Sequence, residues 1–247
     1  MNSFADGNSR TKTLGMAQKK TKLVPRLSVS KMAEYQTAGP NRRRRIILDA
    51  KDPQPYIVGI YEYAKDAITE YLAGDELDAE GLLKAIDEIA HREPQRPSDA
   101  KSIKLCCEAL ERFVSLFKHG EDLAALKRSK GAQASPKLVI SEVEISIQPD
   151  VILKGAVNVT KTIGAIKLVF GKSEPLTPEH GESIALMLQE HITKHLSAGM
   201  KVDPRICMVL DVFSGRVFYP PKAVKRRMAN ILASCEEIKA QWRSIAA

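Results

Sequence analysis

Long apolar runs are missing from this chain, and none approaches the ~18 residues that would carry a helix across a bilayer. The N-terminus also has no hydrophobic core of the signal-peptide kind, so the expectation is a cytoplasmic protein with no membrane partner. Cysteine is sparse and badly spaced for metal. Cys106 and Cys107 are adjacent and cannot make a CxxC knuckle, and neither Cys207 nor Cys235 lies at zinc spacing. Buried free thiols in a reducing compartment are expected instead. Aromatic residues make up only 5% of the chain, and few interleave with its basic residues, which argues against a base-stacking platform for single strands. There is no phosphate-cradling glycine loop, no GxSxG elbow and no kinase-like set, so nucleotide hydrolysis and serine chemistry have no support.

Acidic residues are nearly absent from one region only. Residues 1–45 hold eleven Lys/Arg against Asp6 and Glu34, a net of +9, which leaves the remainder of the +8 chain at about −1. The basicity therefore belongs to an arm and not to the body. Residues 1–27 are polar, basic and aperiodic and read as a disordered arm; their basic, Ser/Thr-bearing character also resembles an organelle transit peptide.

Beyond the arm, Ser28 or Ser30 can cap a short helix through Gln36, ended by Gly39-Pro40. Apolar residues recur at helical spacing from Pro55 to Leu72, from Ala79 to His91 and from Ser98 to Lys118. Residues 120–135 read as a loop. After Pro136 the period shortens: a strand runs from Leu138 through Ile147 and on to Leu153, and another from Gly164 to Phe170. An amphipathic helix then spans Pro178 to Leu196, a strand hairpin turns at Ser214-Gly215, and a helix closes the chain from Pro221 to about Ile245. This order predicts an α+β protein, with a helical region over 28–97 and an α/β-like domain over 98–247.

Two segments carry the chemistry. Ile147-Gln148-Pro149-Asp150-Val151-Ile152-Leu153 places an acid at a strand end, and Gly164-Ala165-Ile166-Lys167-Leu168-Val169-Phe170 places a lysine on the next strand. Phosphodiester hydrolysis with a hard divalent cation needs carboxylates clustered at strand ends, and a lysine beside them can orient water and offset charge developing on the phosphate. The segments resemble the Pro-Asp and acid-x-Lys strands of the PD-(D/E)XK nuclease superfamily, including its RecB-like branch. Residues 98–196 resemble that family's order of helix, strand, Pro-Asp strand, acid-x-Lys strand and helix. The resemblance implies a small mixed β-sheet flanked by helices, Mg²⁺ as cofactor, Asp150 as a metal ligand and Lys167 as the catalytic lysine.

The family's second acid falls on Ala165, which coordinates nothing, and moving the register to Lys172 puts Phe170 in its place. Glu144 or Glu142 on the preceding strand is the expected replacement, since by alternation both share a face with Asp150 if the strand continues without a bulge. The expected catalytic set is then Asp150, Lys167 and Glu144, with Asp150 and Glu144 holding the metal and Glu108 or Glu111 in the first-acid role. The same residues also have a plain structural use. Pro-Asp is a common turn pair, Lys167 can guard a strand edge, and the glutamates alternate with Val143 and Ile145 as on a half-solvated strand.

Arg42, Arg43, Arg44 and Arg45 form the densest charge cluster. They cannot share one helix face, yet they can neutralise several phosphates in a salt-sensitive, sequence-blind contact. Lys225, Arg226 and Arg227 at the start of the last helix oppose its dipole, a cost that a bound phosphate relieves. His191 and His195 have metal-ligand spacing without the glutamate of HExxH. Asp211 lies on a strand among apolar residues, as a buried hydrogen-bonded acid or an extra ligand. The region around Cys207–Val212 and Cys235–Trp242 is similar to bacterial proteins of no assigned activity, which implies a prokaryotic or mobile-element source. Taken together, the expected function is binding of DNA or RNA by a degenerate nuclease-like fold, in nucleic-acid processing or mobile-element defence. An active Mg²⁺-dependent nuclease and a non-catalytic protein–protein adaptor are the alternatives.

Overall fold

The computed structural model describes residues 24–53, 59–77, 79–118 and 120–244. The arm up to Leu23 lies outside the described residues. Its last residues do not continue it: Arg26 and Leu27 belong to β1 (Arg26–Ser28), and Leu27 is buried.

A three-stranded sheet of order β1-β4-β3 combines β1, β3 (Leu138–Ile140) and β4 (Val143–Ser146), with β1 parallel to β4. The larger sheet has the order β2-β5-β6-β7-β8, from β2 (Lys127–Lys130), β5 (Val151–Val157), β6 (Thr160–Val169), β7 (Lys201–Asp211) and β8 (Arg216–Phe218). Its neighbours are antiparallel except β6 and β7, which run parallel and are joined by α7 (Pro178–His195). A parallel pair cannot be closed by a tight turn, so the helical crossover is required.

Side chains of the central strands alternate between two apolar layers. Ile163, Ala165, Cys207 and Val209 pack under α1 (Val29–Thr37), α2 (Pro40–Lys51), α7, α8 (Val224–Ser244) and the small sheet. Ile166, Leu168, Met208, Leu210 and Val212 pack under α3 (Glu62–Ala73), α4 (Ala79–Ala90), α5 (Pro97–Leu116) and α6 (Gly120–Ala124). Residues 28–97 therefore supply helices to both layers and do not have a core of their own. Each Leu or Ile so buried stabilises the fold by about 1.5–3 kcal/mol, and truncating Ile184 or Leu188 of α7 to Ala costs about 2–5 kcal/mol.

Local chemistry sets the helix starts. Ser28 Oγ accepts from the Lys31 N–H at 3.3 Å and opens α1; Thr177 Oγ1 does the same for His180 N–H at 3.3 Å and opens α7. Pro40, Pro97 and Pro178 each begin a helix where a missing N–H costs nothing.

Three expectations need correction. The helix expected from Pro55 begins at Glu62, and residues 55–58 of that expectation lie outside the described residues. The stretch 120–135 is not one loop but contains α6 and the edge strand β2. The strand expected to run on from Leu138 folds back at Ser141 and Glu142, whose φ angles are 45° and 63°, to make a two-residue hairpin. Such a turn usually carries Asn-Gly or Asp-Gly, so Ser-Glu gave no warning of it.

Candidate functional site

Asp150 is the last residue before β5, and the backbone holds it on both sides. Its N–H donates to the Ile166 carbonyl at 2.9 Å, and its own carbonyl accepts the Gly131 N–H at 2.8 Å. Gly131 is required there, because a Cβ would stand 2.0 Å from the Pro149 carbonyl oxygen. β5 stops at Val151, paired with Ile166, so the next inward-pointing amide of β6 has no strand opposite it. Asp150 Oδ2 takes that role and accepts the Leu168 N–H at 2.7 Å. An amide left unpaired at this depth would cost about 1–3 kcal/mol.

The same oxygen accepts from Lys167 Nζ at 2.7 Å, while Oδ1 pairs with Lys65 Nζ of α3 at 3.0 Å. The Asp150 side chain is 1% exposed, Lys167 15% and Lys65 35%. Burial lowers the Lys167 pKa from the usual lysine range; the Asp150 carboxylate opposes that shift, and the Lys65 charge adds to it. The result is a sheet end where two ammonium groups share one carboxylate.

Sequence reasoning paired Asp150 with Lys167 but missed Lys65. Its neighbours Ala64 and Ile68 line the buried stripe of α3, and nothing in the sequence says where a flanking lysine ends.

Ala165, the position of the expected second acid, is fully buried between Ile152 of β5 and Cys207 of β7. The proposed replacements are elsewhere. Glu144 belongs to the other sheet, where it lines a hollow with Lys239, Trp242 and Arg243 of α8, and Glu142 pairs with Lys239. β4 ends at Ser146 and β5 opens at Val151 in the other sheet, so residues 147–150 break the continuous strand on which their shared face with Asp150 depended. Glu108 pairs with Lys172 and Glu111 is exposed on α5.

Magnesium needs near-octahedral oxygen ligands, commonly with one or two carboxylates. The Asp150 oxygens already face two ammonium groups and an amide. No group of three or more His, Cys, Asp or Glu able to hold a metal exists among the described residues. As arranged, these residues do not fit a magnesium site.

The arginine run separates into different uses. Arg43 points inward: its Nε and Nη2 donate to the carbonyls of Tyr35 and Gln36 at 3.0 and 3.2 Å, its Nη1 pairs with Glu237 at 3.0 Å, and it lies over the Tyr35 ring. It clamps the end of α1 to α8 and is not available to a ligand. Arg42 pairs with Glu34, Arg45 pairs with Asp49 at 2.9 Å, and exposed Arg44 has no ion-pair partner among the described residues. Of the second cluster, Lys225 and Arg226 are exposed, and Arg227 pairs with Glu182 at 3.0 Å. Arg226, Arg227 and Lys222 line a hollow beside Tyr219 and Pro220.

The α7 histidines do not gather as one set: His191 and His195 stay neighbours, and His180 is elsewhere. His180 meets Thr37, and His191 is fully buried with Nε2 2.8 Å from Ser135 Oγ. Burial, with His195 and Lys137 nearby, pushes the His191 pKa down to about 4. Asp211 is fully buried, and its Oδ2 accepts the Leu176 N–H at 2.9 Å, anchoring the approach to α7. All four cysteines are free, and burial raises the Cys207 and Cys235 thiols to about 12.

No helix among the described residues is long and apolar enough to cross a membrane. No family model matches the chain, and no curated protein matches it.

Proposed function

We propose that this chain binds nucleic acid without cutting it, on a nuclease-like fold whose metal position has become an ion-pair cluster. The Lys65–Asp150–Lys167 arrangement carries the reading. Asp150 and Lys167 meet at 2.7 Å, as the PD-(D/E)XK resemblance implies, but an ammonium group 3.0 Å from Asp150 Oδ1 takes the side where a cation would bind. Within the larger sheet, α5 precedes β2, β5 and β6 and α7 follows them, with α6 between α5 and β2 and the hairpin β3–β4 inserted before β5. This order supports the same reading, with Asp150 just before β5 and Lys167 on β6. Ala165 in the apolar core argues against a surviving second ligand. The cations Arg42, Arg44, Arg45, Lys225 and Arg226 offer exposed charge for phosphate contacts, which release counterions and weaken as salt rises. A role in nucleic-acid processing or mobile-element defence follows from the resemblance.

Labelled single- and double-stranded DNA and RNA test the reading, with Mg²⁺ or with EDTA, across a salt series. The expected result is binding that falls steeply with salt, is indifferent to EDTA and leaves the strands intact. Metal-dependent cleavage that disappears in Asp150→Asn would establish an active nuclease instead. Absence of binding to every nucleic acid would sink the proposal.

A further inference from the structure

We propose, resting on the nucleic-acid reading above, that the β5–β6 ribbon is a reading head for the major groove of duplex DNA. The last pair of β2 on β5 is Lys127 with Lys154, and the first pair of β7 on β6 is Lys201 with Thr162. Residues 155–161 therefore project past both neighbouring strands. Within the ribbon they pair as Gly155 with Thr162, Ala156 with Lys161 and Val157 with Thr160, turning at Asn158 and Val159 with Asn158 at φ 56°.

Its composition suits insertion. Apart from Asn158 at the turn and Lys161, the projecting residues are small or β-branched, and none is acidic, so the ribbon is slim. The B-DNA major groove, about 12 Å wide, admits a two-stranded β-ribbon. Val159 is 98% exposed and Val157 43%. Apolar side chains at a tip gain nothing from water, but can meet thymine methyl groups on the groove floor.

Charge complementarity names the partner. Lys154 and Lys161 stand on one face of the ribbon, since Lys154 lies opposite Ile163, two residues along from Lys161. Both are exposed, and neither has an ion-pair partner among the described residues. Like charges on one face of a strand pair repel, and the phosphates along one wall of a groove would relieve that repulsion. The major groove of A-form RNA is too deep and narrow for side chains to read, so the ribbon selects duplex DNA over duplex RNA.

The test measures equilibrium binding of the full chain to a DNA duplex, an RNA duplex of the same sequence and the single DNA strand, each over a salt series. Wild type is compared with the double variants Lys154→Ala/Lys161→Ala and Lys154→Arg/Lys161→Arg, and with Val159→Asp. The DNA duplex should bind tightest. The alanine pair should flatten the slope of log K against log salt by roughly 2, at about 0.9 per phosphate contact, and the arginine pair should restore it. Val159→Asp should weaken DNA binding roughly tenfold or more, as its carboxylate meets like charge. All three substituted forms should keep the wild-type melting temperature, since these side chains are exposed. An unchanged slope in the alanine pair, or equal affinity for the RNA duplex, would overturn the ribbon's role while the nucleic-acid reading stood. A wild-type chain that binds none of the three would overturn both.

Discussion

At one end of the β5–β6 pair, Lys65 and Lys167 converge on the buried carboxylate of Asp150; at the other, Lys154 and Lys161 are exposed and have no ion-pair partner among the described residues. The strands are the same, and so is the residue type. What differs is burial, and burial decides what a charge can do. An ammonium docked on a buried carboxylate is paired as the chain folds, so its attraction goes into holding the fold. An exposed, unpaired one contributes almost nothing to folding and keeps its attraction for an external anion. On the proposed reading, the end that looks like chemistry in the sequence serves the fold, and the end with no motif serves binding.

The sharpest way to break this contrast is Asp150→Ala. It strands two ammonium groups and the Leu168 amide at the sheet end. Removing one partner of a buried pair costs about 3–5 kcal/mol, and urea unfolding should show a loss of that size. If stability barely moved, Asp150 would not be the keystone of the sheet end, and a reserved ligand position would return to consideration.

The same difference between buried and exposed recurs on α7, where His191 and His195 have ring centroids 5.1 Å apart. His191 stays neutral in the fold down to about pH 4, against 6.5 for its ordinary value. Above 6.5 it is neutral in both states and has no effect. As pH falls from 6.5 towards 4, the unfolded chain takes up a proton that the folded chain refuses, so stability is lost. At ~1.4 kcal/mol per unit, the loss reaches up to about 3 kcal/mol, and His191→Gln should flatten the curve over that window.

Much of the architecture was legible because its signals are local and repetitive. The stripes of α4, α5 and α7, the cap of α1, and the turn at Ser214-Gly215 each follow from residues a few positions apart. Edge strand β2 was not legible, since Lys127-Arg128-Ser129-Lys130 carries no apolar alternation. Its Arg128 instead donates to the carbonyls of Leu123, Leu126, Gly74 and Asp75, joining the ends of α3 and α6. Because β2 was read as loop, the strand before the Pro-Asp strand was sought at Leu138–Ile147, which lies mostly in the other sheet. That displacement is also why Glu144 was expected beside Asp150. The Asp150–Lys167 pair itself was readable, since a hairpin register brings its two strands together; Lys65, about 85 residues from Asp150 in sequence, depends on how α3 docks and had no local signal.

Arg43 and Arg44 carry the contrast to neighbouring residues. Arg43 donates to two carbonyls and pairs with Glu237, so Arg43→Ala should cost about 1.5–3 kcal/mol, read from the shift in urea midpoint.

Arg44→Ala should show the smallest stability change, within about 0.5 kcal/mol, because its guanidinium is exposed and unpaired among the described residues. Its effect belongs in binding, where loss of one phosphate contact should lower the salt slope by about 0.9 with either DNA or RNA. A contact with the backbone carries no preference for sequence or groove, so Arg44 should weaken all partners alike, whereas the ribbon lysines should weaken only duplex DNA. If Arg44→Ala instead reduced stability as much as Arg43→Ala, the run would be one structural block, and exposure would have failed as the guide to which charges are free.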